Sequence, residues 1–159
     1  MSAVVVYMGI EYVLLQPRRQ ESTWVGGWTV GAGSWAFLDW VTNHHYPRWL
    51  THHDRSGGYN GICDAFRTAL GGLLDEATRT RLLRVGTTRW EGGKARGINM
   101  RQNFVWLVAA PLLWDLEVLN QERCLDRMIF ADCSRDPLAL AGARAVIEEH
   151  GKCQSCSPT

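Results

Sequence analysis

The longest apolar run in the chain, FVWLVAAPLLW at residues 104–114, constrains the fold most strongly, because its side chains must find cover. A transmembrane helix needs about 20 apolar residues, so this run is too short to span a bilayer. Asp115 follows it at once. The run predicts a long buried helix over 99–122 that is bent at Pro111. The side chains predicted to be buried are Trp106, Leu107, Leu113 and Trp114, together with Phe66 and Leu70 of an earlier apolar segment.

The rest of the pattern predicts an α+β fold in a single domain over residues 1–159, a length that can bury a core without disulfide bonds. Residues 1–33 are rich in β-branched and aromatic residues and in glycine, which favours a small N-terminal β-sheet. From Ser34 the apolar spacing changes to the helical period, so residues 34–159 are expected to be mainly helical. The sheet should pack on this helical body, which ends in a C-terminal helix and a metal-bound tail.

Cysteine content and the N-terminal sequence bear on the compartment. The first residues, MSAVVVYMGI, lack a basic segment followed by a small-residue cleavage site, so no signal peptide is indicated. Five cysteines, an odd number, favour reduced thiols over a disulfide framework. We therefore expect a cytoplasmic protein with no membrane partner. The sequence does not indicate an oligomeric state.

The C-terminal sequence EEHGKCQSCSPT has the spacing of a metal site. Thiolate and imidazole are the ligands that zinc prefers, and C-x2-C lets one turn present two sulfurs to a tetrahedral ion. The candidate ligands of a structural zinc are Cys153, Cys156, His150, Cys133 and Cys124. Two alternatives stay open: a redox pair, which is disfavoured because the pair follows a helix rather than preceding one, or incidental thiols on a polar tail.

Histidines cluster in the stretch NHHYPRWLTHHDRS. On a continuous helix His45 and His52 would share a face, and histidine with aspartate can hold a catalytic metal. Pro47 interrupts such a helix, so the cluster can equally be a polar face without function. The residues of this candidate catalytic group are His44, His45, His52, His53 and Asp54.

Basic residues are concentrated between positions 79 and 101. This segment holds seven basic residues and one acidic residue, Glu91, although the whole chain has a net charge of only +1. Arginine pairs well with phosphate and carboxylate, and a tryptophan can stack on a base or anchor a protein contact. The segment is predicted to form one continuous positive surface; the alternative is a solvated face. The candidate binding residues are Arg84, Arg89, Trp90, Lys94, Arg96 and Arg101.

No known catalytic motif accompanies these features. The sequence therefore favours a small intracellular binding or regulatory protein with a structural zinc, which uses its Arg-rich segment to bind an acidic protein or nucleic acid. The alternative function is that of a small metal-dependent hydrolase built on the histidine cluster.

Overall fold

The structure, a computed structural model, describes residues 2–20, 23–50 and 58–153. The strands in these residues are β1 Val5–Met8, β2 Leu15–Gln20, β3 Thr23–Val30, β4 Tyr46–Leu50, β5 Gly86–Thr88, β6 Phe104–Val108 and β7 Met128–Phe130. The α-helices are α1 Ser34–His44, α2 Tyr59–Ala69, α3 Glu76–Leu83, α4 Leu113–Gln121 and α5 Ala139–Cys153. Two short 3₁₀ helices, Lys94–Gly97 and Leu125–Arg127, lie in the connections before β6 and β7.

Five of the strands form one parallel sheet in the order β5-β4-β1-β6-β7, and β2 and β3 form a separate antiparallel hairpin. The chain builds outward from β1 through β4 to β5, then crosses back to β6 and continues to β7. The strand order therefore reverses between β1 and β6. This is the pattern of a doubly wound sheet, in which all strands begin at one edge, here called the amino edge, and end at the opposite carboxyl edge.

Both faces of the sheet are covered, which explains why its central strands are almost entirely apolar. Consecutive strand residues point to opposite faces, and they divide between two core clusters. One cluster contains Val6, Met8, Trp49, Val105, Leu107 and Ile129, and the other contains Tyr7, Leu50, Phe104, Trp106 and Val108. Helices α1, α2 and α5 pack on the first face, whereas α4 and the 3₁₀ helix Lys94–Gly97 pack on the second.

The fold mixes helices and strands, as predicted, but the architecture within that class differs. Residues 1–33 supply only β1 to the main sheet and otherwise form the β2–β3 hairpin. Four of the five sheet strands come from the part that was expected to be mainly helical. The described α-helices all lie in this part as well, but strands β4 to β7 were not predicted there, because parallel strands buried on both faces lack the polar–apolar alternation that marks a strand in sequence.

The apolar run also divides differently from the prediction. Its first half is strand β6, in which Trp106 and Leu107 are buried, and Phe66 of α2 is buried as well. Its second half leaves the sheet and opens α4, where Leu113 is 77% exposed and Trp114 is 53% exposed. The burial predicted for these two residues, and for Leu70 with 38% exposure, was wrong. Across the described residues, no helix is long and apolar enough to cross a bilayer.

Two substitutions of the same kind within this run should differ strongly in cost. Leu107→Ala removes a fully buried side chain from β6 and should lower the free energy of unfolding by about 2–5 kcal/mol. Leu113→Ala removes an exposed side chain and should change it by about 0.5 kcal/mol or less. Urea denaturation followed by circular dichroism measures both, and equal losses would contradict the division of the run.

Candidate ligand-binding site

A cavity of about 550 Å³ opens at the carboxyl edge, between the connection that follows β5 and the one that follows β6. In doubly wound sheets ligands bind at this edge, where the strand order reverses and the connections diverge. The residues around the cavity are Trp90, Gly92, Gly93, Lys94, Ala110, Leu112, Trp114 and Asp115. Two segments separated by some fifteen residues of sequence therefore meet at one place.

Asp115 holds the two segments together. It lies in the first turn of α4 and is only 1% exposed, although it is a carboxylate. Its Oδ1 accepts a hydrogen bond of 2.9 Å from the backbone N–H of Ala95, in the 3₁₀ helix of the other segment. A buried carboxylate needs such a donor to offset the loss of water. The position near the amino end of α4 favours its negative charge as well.

Two glycines allow close approaches around the cavity, Gly93 between the two segments and Gly97 within the first of them. Gly93 has a φ of 138°, and a Cβ added there would lie 3.1 Å from Asp115 Oδ1 and 3.1 Å from Trp114 Cδ1. A Cβ added at Gly97 would lie 2.6 Å from the Cβ of Trp90, closer than side chains tolerate. A side chain at either position would therefore displace one of the two tryptophans that border the cavity.

The lining of the cavity contains two tryptophans and a lysine. Trp90 is partly buried, Trp114 is half exposed, and both border the same space. Lys94 is partly buried, and no carboxylate of residues 2–20, 23–50 or 58–153 forms an ion pair with it. The guanidinium of Arg96 lies beside Gly92, so a second cation is near the rim. The cavity suits a flat ligand that carries negative charge.

The structure separates the predicted binding residues into two groups. Arg84 precedes β5 at the amino edge, where its Nη2 donates to Asn43 Oδ1 at 2.8 Å. Arg101 precedes β6 and lies at the same edge. Four other predicted residues follow β5 and lie towards the carboxyl edge: Arg89, Trp90, Lys94 and Arg96. Segment 79–101 therefore reaches both edges of the sheet rather than forming a surface on one side.

The predicted metal site is not formed by the described residues. No three of their histidine, cysteine, aspartate and glutamate side chains are grouped so that they could hold an ion. His150 instead hydrogen-bonds through Nε2 to Asn103 Oδ1 at 3.0 Å, close to the amino edge. Burial lowers the pKa of His150, with the positive charge of Arg127 adding to that effect.

The two upstream cysteines lie at opposite ends of β7. Cys124 precedes that strand, is buried, and donates its thiol hydrogen to the carbonyl of Glu122. Cys133 follows the strand at the carboxyl edge, where burial raises the pKa of its thiol to about 11. These two cysteines therefore cannot bind the same ion. The prediction of a zinc-binding protein is corrected, because the described residues form no metal-binding group. Cys156 lies outside the described residues, and α5 ends at Cys153.

The histidine cluster is interrupted by a strand. His44 ends α1 and its Nδ1 contacts the carbonyl of Trp40 at 2.8 Å, whereas His45 is 5% exposed and accepts a bond from Val4 N at 3.3 Å. Residues 46–50 then form β4, so the helix is interrupted at Pro47, and the condition under which His45 and His52 would share a helix face is not met. His52, His53 and Asp54 lie outside the described residues, and a catalytic role for them stays a prediction.

Comparison of the chain with protein-family models, with curated proteins and with solved structures finds no match. Sequence reasoning identified Trp90 and Lys94 but missed Gly93, Trp114 and Asp115. Asp115, the acid that ends the apolar run, was the available signal, because a carboxylate directly after such a run is placed to open a helix rather than to continue one.

Removing the Asp115 carboxylate should loosen the site and destabilise the fold. Asp115→Ala leaves the buried N–H of Ala95 without an acceptor, so we expect a loss of about 1–3 kcal/mol in the free energy of unfolding. Asp115→Asn keeps an acceptor oxygen and should lose less. Chemical denaturation of both variants measures this difference. Equal losses would show that the hydrogen bond does not hold the two segments together.

Burial of His45 should make the protein sensitive to mild acid. Burial is the main cause that lowers the pKa of His45, the nearby His44 lowers it further, and Glu148 opposes both. Between about pH 7 and about pH 5.5 the unfolded imidazole takes up a proton that the folded one resists, so stability falls as pH falls. The slope per group is at most about 1.4 kcal/mol per pH unit.

Replacing this histidine by an uncharged side chain tests its share of that slope. His45→Gln should make the free energy of unfolding fall less steeply over the same pH range, with His150 supplying the slope that remains. Denaturation curves measured at several pH values give the comparison. A variant whose slope equals that of the natural protein would contradict the assignment.

Proposed function

We propose that this protein is a small-molecule-binding protein, and that its ligand is a planar molecule with an anionic group, such as a nucleoside monophosphate. The observation that carries the proposal is the convergence of Trp90, Trp114 and Lys94 on one cavity at the carboxyl edge. Its volume of about 550 Å³ falls within the range of about 300–1,000 Å³ that is typical of such sites. The carboxyl edge is also where ligands bind in doubly wound sheets, and the reversal of strand order at β1 and β6 marks this sheet as one of that kind.

Each part of the ligand has a partner in the cavity. The indoles of Trp90 and Trp114 supply flat apolar surfaces on which an aromatic ring can stack, at about 1–3 kcal/mol for each stacked base. The ammonium of Lys94 supplies a charge for the anionic group, and Arg96 adds a second cation beside Gly92. Asp115 has a structural part in the cavity, because its Oδ1 accepts from Ala95 N of the other segment.

The proposal keeps one expectation from the sequence, the binding role of the Arg-rich segment, and changes another, the kind of partner. A binding role for the Arg-rich segment is kept, since Trp90 and Lys94 belong to it. The partner is changed from a macromolecule on an extended surface to a small ligand in a cavity, because Arg84 and Arg101 lie at the other edge of the sheet. Binding of an acidic protein stays a prediction from the sequence.

Isothermal titration calorimetry with three sets of probes tests the proposal. The four ribonucleoside monophosphates carry both ring and phosphate, the matching nucleosides carry the ring alone, and ribose 5-phosphate carries the phosphate alone. At least one monophosphate should bind more tightly than both of its parts. Trp114→Ala and Lys94→Gln should each weaken that binding by about tenfold or more, because each removes one anchor.

Two control variants remove matched groups away from the cavity. Tyr46→Ala removes an aromatic side chain that is 65% exposed at the start of β4, and Arg79→Gln removes an exposed cation from α3. Both should bind the probe as the natural protein does. Absence of saturable binding to every monophosphate, or equal losses in the Trp114 and Tyr46 variants, would overturn the proposal.

A further inference from the structure

A second cavity, of about 330 Å³, lies on the β2–β3 hairpin near the carboxyl edge. Strand β2 supplies Gln16, Pro17, Arg18 and Arg19 to its lining, strand β3 supplies Thr29, and Ser134 comes from the segment after β7. None of these residues borders the cavity of the proposed ligand site. The hairpin cavity is therefore a separate place on the molecule.

The pairing of the hairpin is irregular next to the two adjacent arginines. Consecutive residues of a regular strand point to opposite faces. Here the register shifts between Pro17, which pairs with Trp28, and Arg19, which pairs with Trp24. Gly26 and Gly27 occupy the extra length of β3 with φ values of 87° and 77°. Such bulges redirect side chains and occur often beside functional sites.

The charge of the two arginines is not matched within the described part of the chain. Neither Arg18 nor Arg19 forms an ion pair with any carboxylate described in the structure. Asp132, two residues before Ser134 in sequence, is already engaged. Its Oδ1 accepts from both the backbone N–H and the hydroxyl of Ser134, and its Oδ2 lies 3.4 Å from Arg135 Nε.

We propose that the hairpin cavity binds the phosphate group of a small molecule. Two guanidinium groups offer the paired N–H donors that match phosphate oxygens, and an exposed arginine loses little hydration when it binds one. The Gln16 amide and the Thr29 hydroxyl add neutral donors at the same cavity. The volume leaves room for a short organic group beside the phosphate.

Calorimetric titration of the full chain with inorganic phosphate and with ethyl phosphate tests this inference, at constant ionic strength set with sodium chloride. Both probes should give saturable binding, and acetate, which carries one charge, should bind more weakly. Tighter binding of ethyl phosphate assigns the site to phosphorylated molecules, and equal binding assigns it to phosphate itself. Either result supports the shared chemistry.

The variants Arg18→Gln and Arg19→Gln should each weaken phosphate binding, and the double variant should weaken it by about tenfold or more. The double variant Arg79→Gln/Arg123→Gln removes the same charge at other exposed positions and should change the affinity by about twofold or less. Circular dichroism melting checks that all variants are folded. Lack of saturation with phosphate, or an equal loss in both double variants, would overturn the inference.

The two proposed sites can fail independently. Trp114→Ala should leave phosphate binding at the hairpin unchanged, because Trp114 does not border that cavity. The Arg18→Gln/Arg19→Gln variant should likewise leave stacking at the carboxyl-edge cavity unchanged. Binding of only one class of probe by the natural protein would identify which proposal is wrong.

Discussion

The rest of the structure depends on the burial of β1 and β6 on both faces and along both sides. Each of these strands has a parallel neighbour on either side, and their side chains belong alternately to the two core clusters. No polar side chain can be placed within such strands without losing its hydration. Chemistry is therefore confined to the connections that leave the sheet at its two edges, which is where the candidate residues lie.

One hydrogen bond to a buried carboxylate ties together the two connections that border the cavity. The segments after β5 and β6 start from strands that are separated in the sheet by two others, β4 and β1. The bond from Ala95 N to Asp115 fixes the distance between these segments, and the close approach at Gly93 brings Trp114 to the cavity wall. The positions of both indoles therefore depend on backbone contacts rather than on packing of the indoles themselves.

The parts of the fold that the sequence predicts are those with a local signal. The start of α1 at Ser34 and the presence of a C-terminal helix follow from the helical period of the apolar residues, although the Ser34 hydroxyl donates to Leu14 O and does not cap α1. Strand β6 was assigned to a helix because five consecutive buried residues carry neither period. Strand order and register arise from contacts between distant segments and leave no local trace.

The residues of the candidate site were likewise predictable only where they had a local signal in the sequence. Trp90 and Lys94 were identified because basic and aromatic residues are concentrated around them, which is a property of composition. Asp115 was not identified, since its role depends on the backbone of Ala95, twenty residues earlier in the chain. The expected metal ligands do not lie together in the fold: His150 lies near the amino edge and Cys133 at the carboxyl edge.

The irregular hairpin also bears on how the protein stays dispersed. A two-stranded sheet has two open edges, and an open edge invites pairing with a strand from another molecule. Strand β2 carries a proline, which lacks the N–H that such pairing needs, followed by two arginines that repel a second copy of themselves. The break at Gly26 and Gly27 interrupts β3, the longest strand of the fold. The residues that shape the hairpin cavity thus also protect the hairpin against edge-to-edge aggregation.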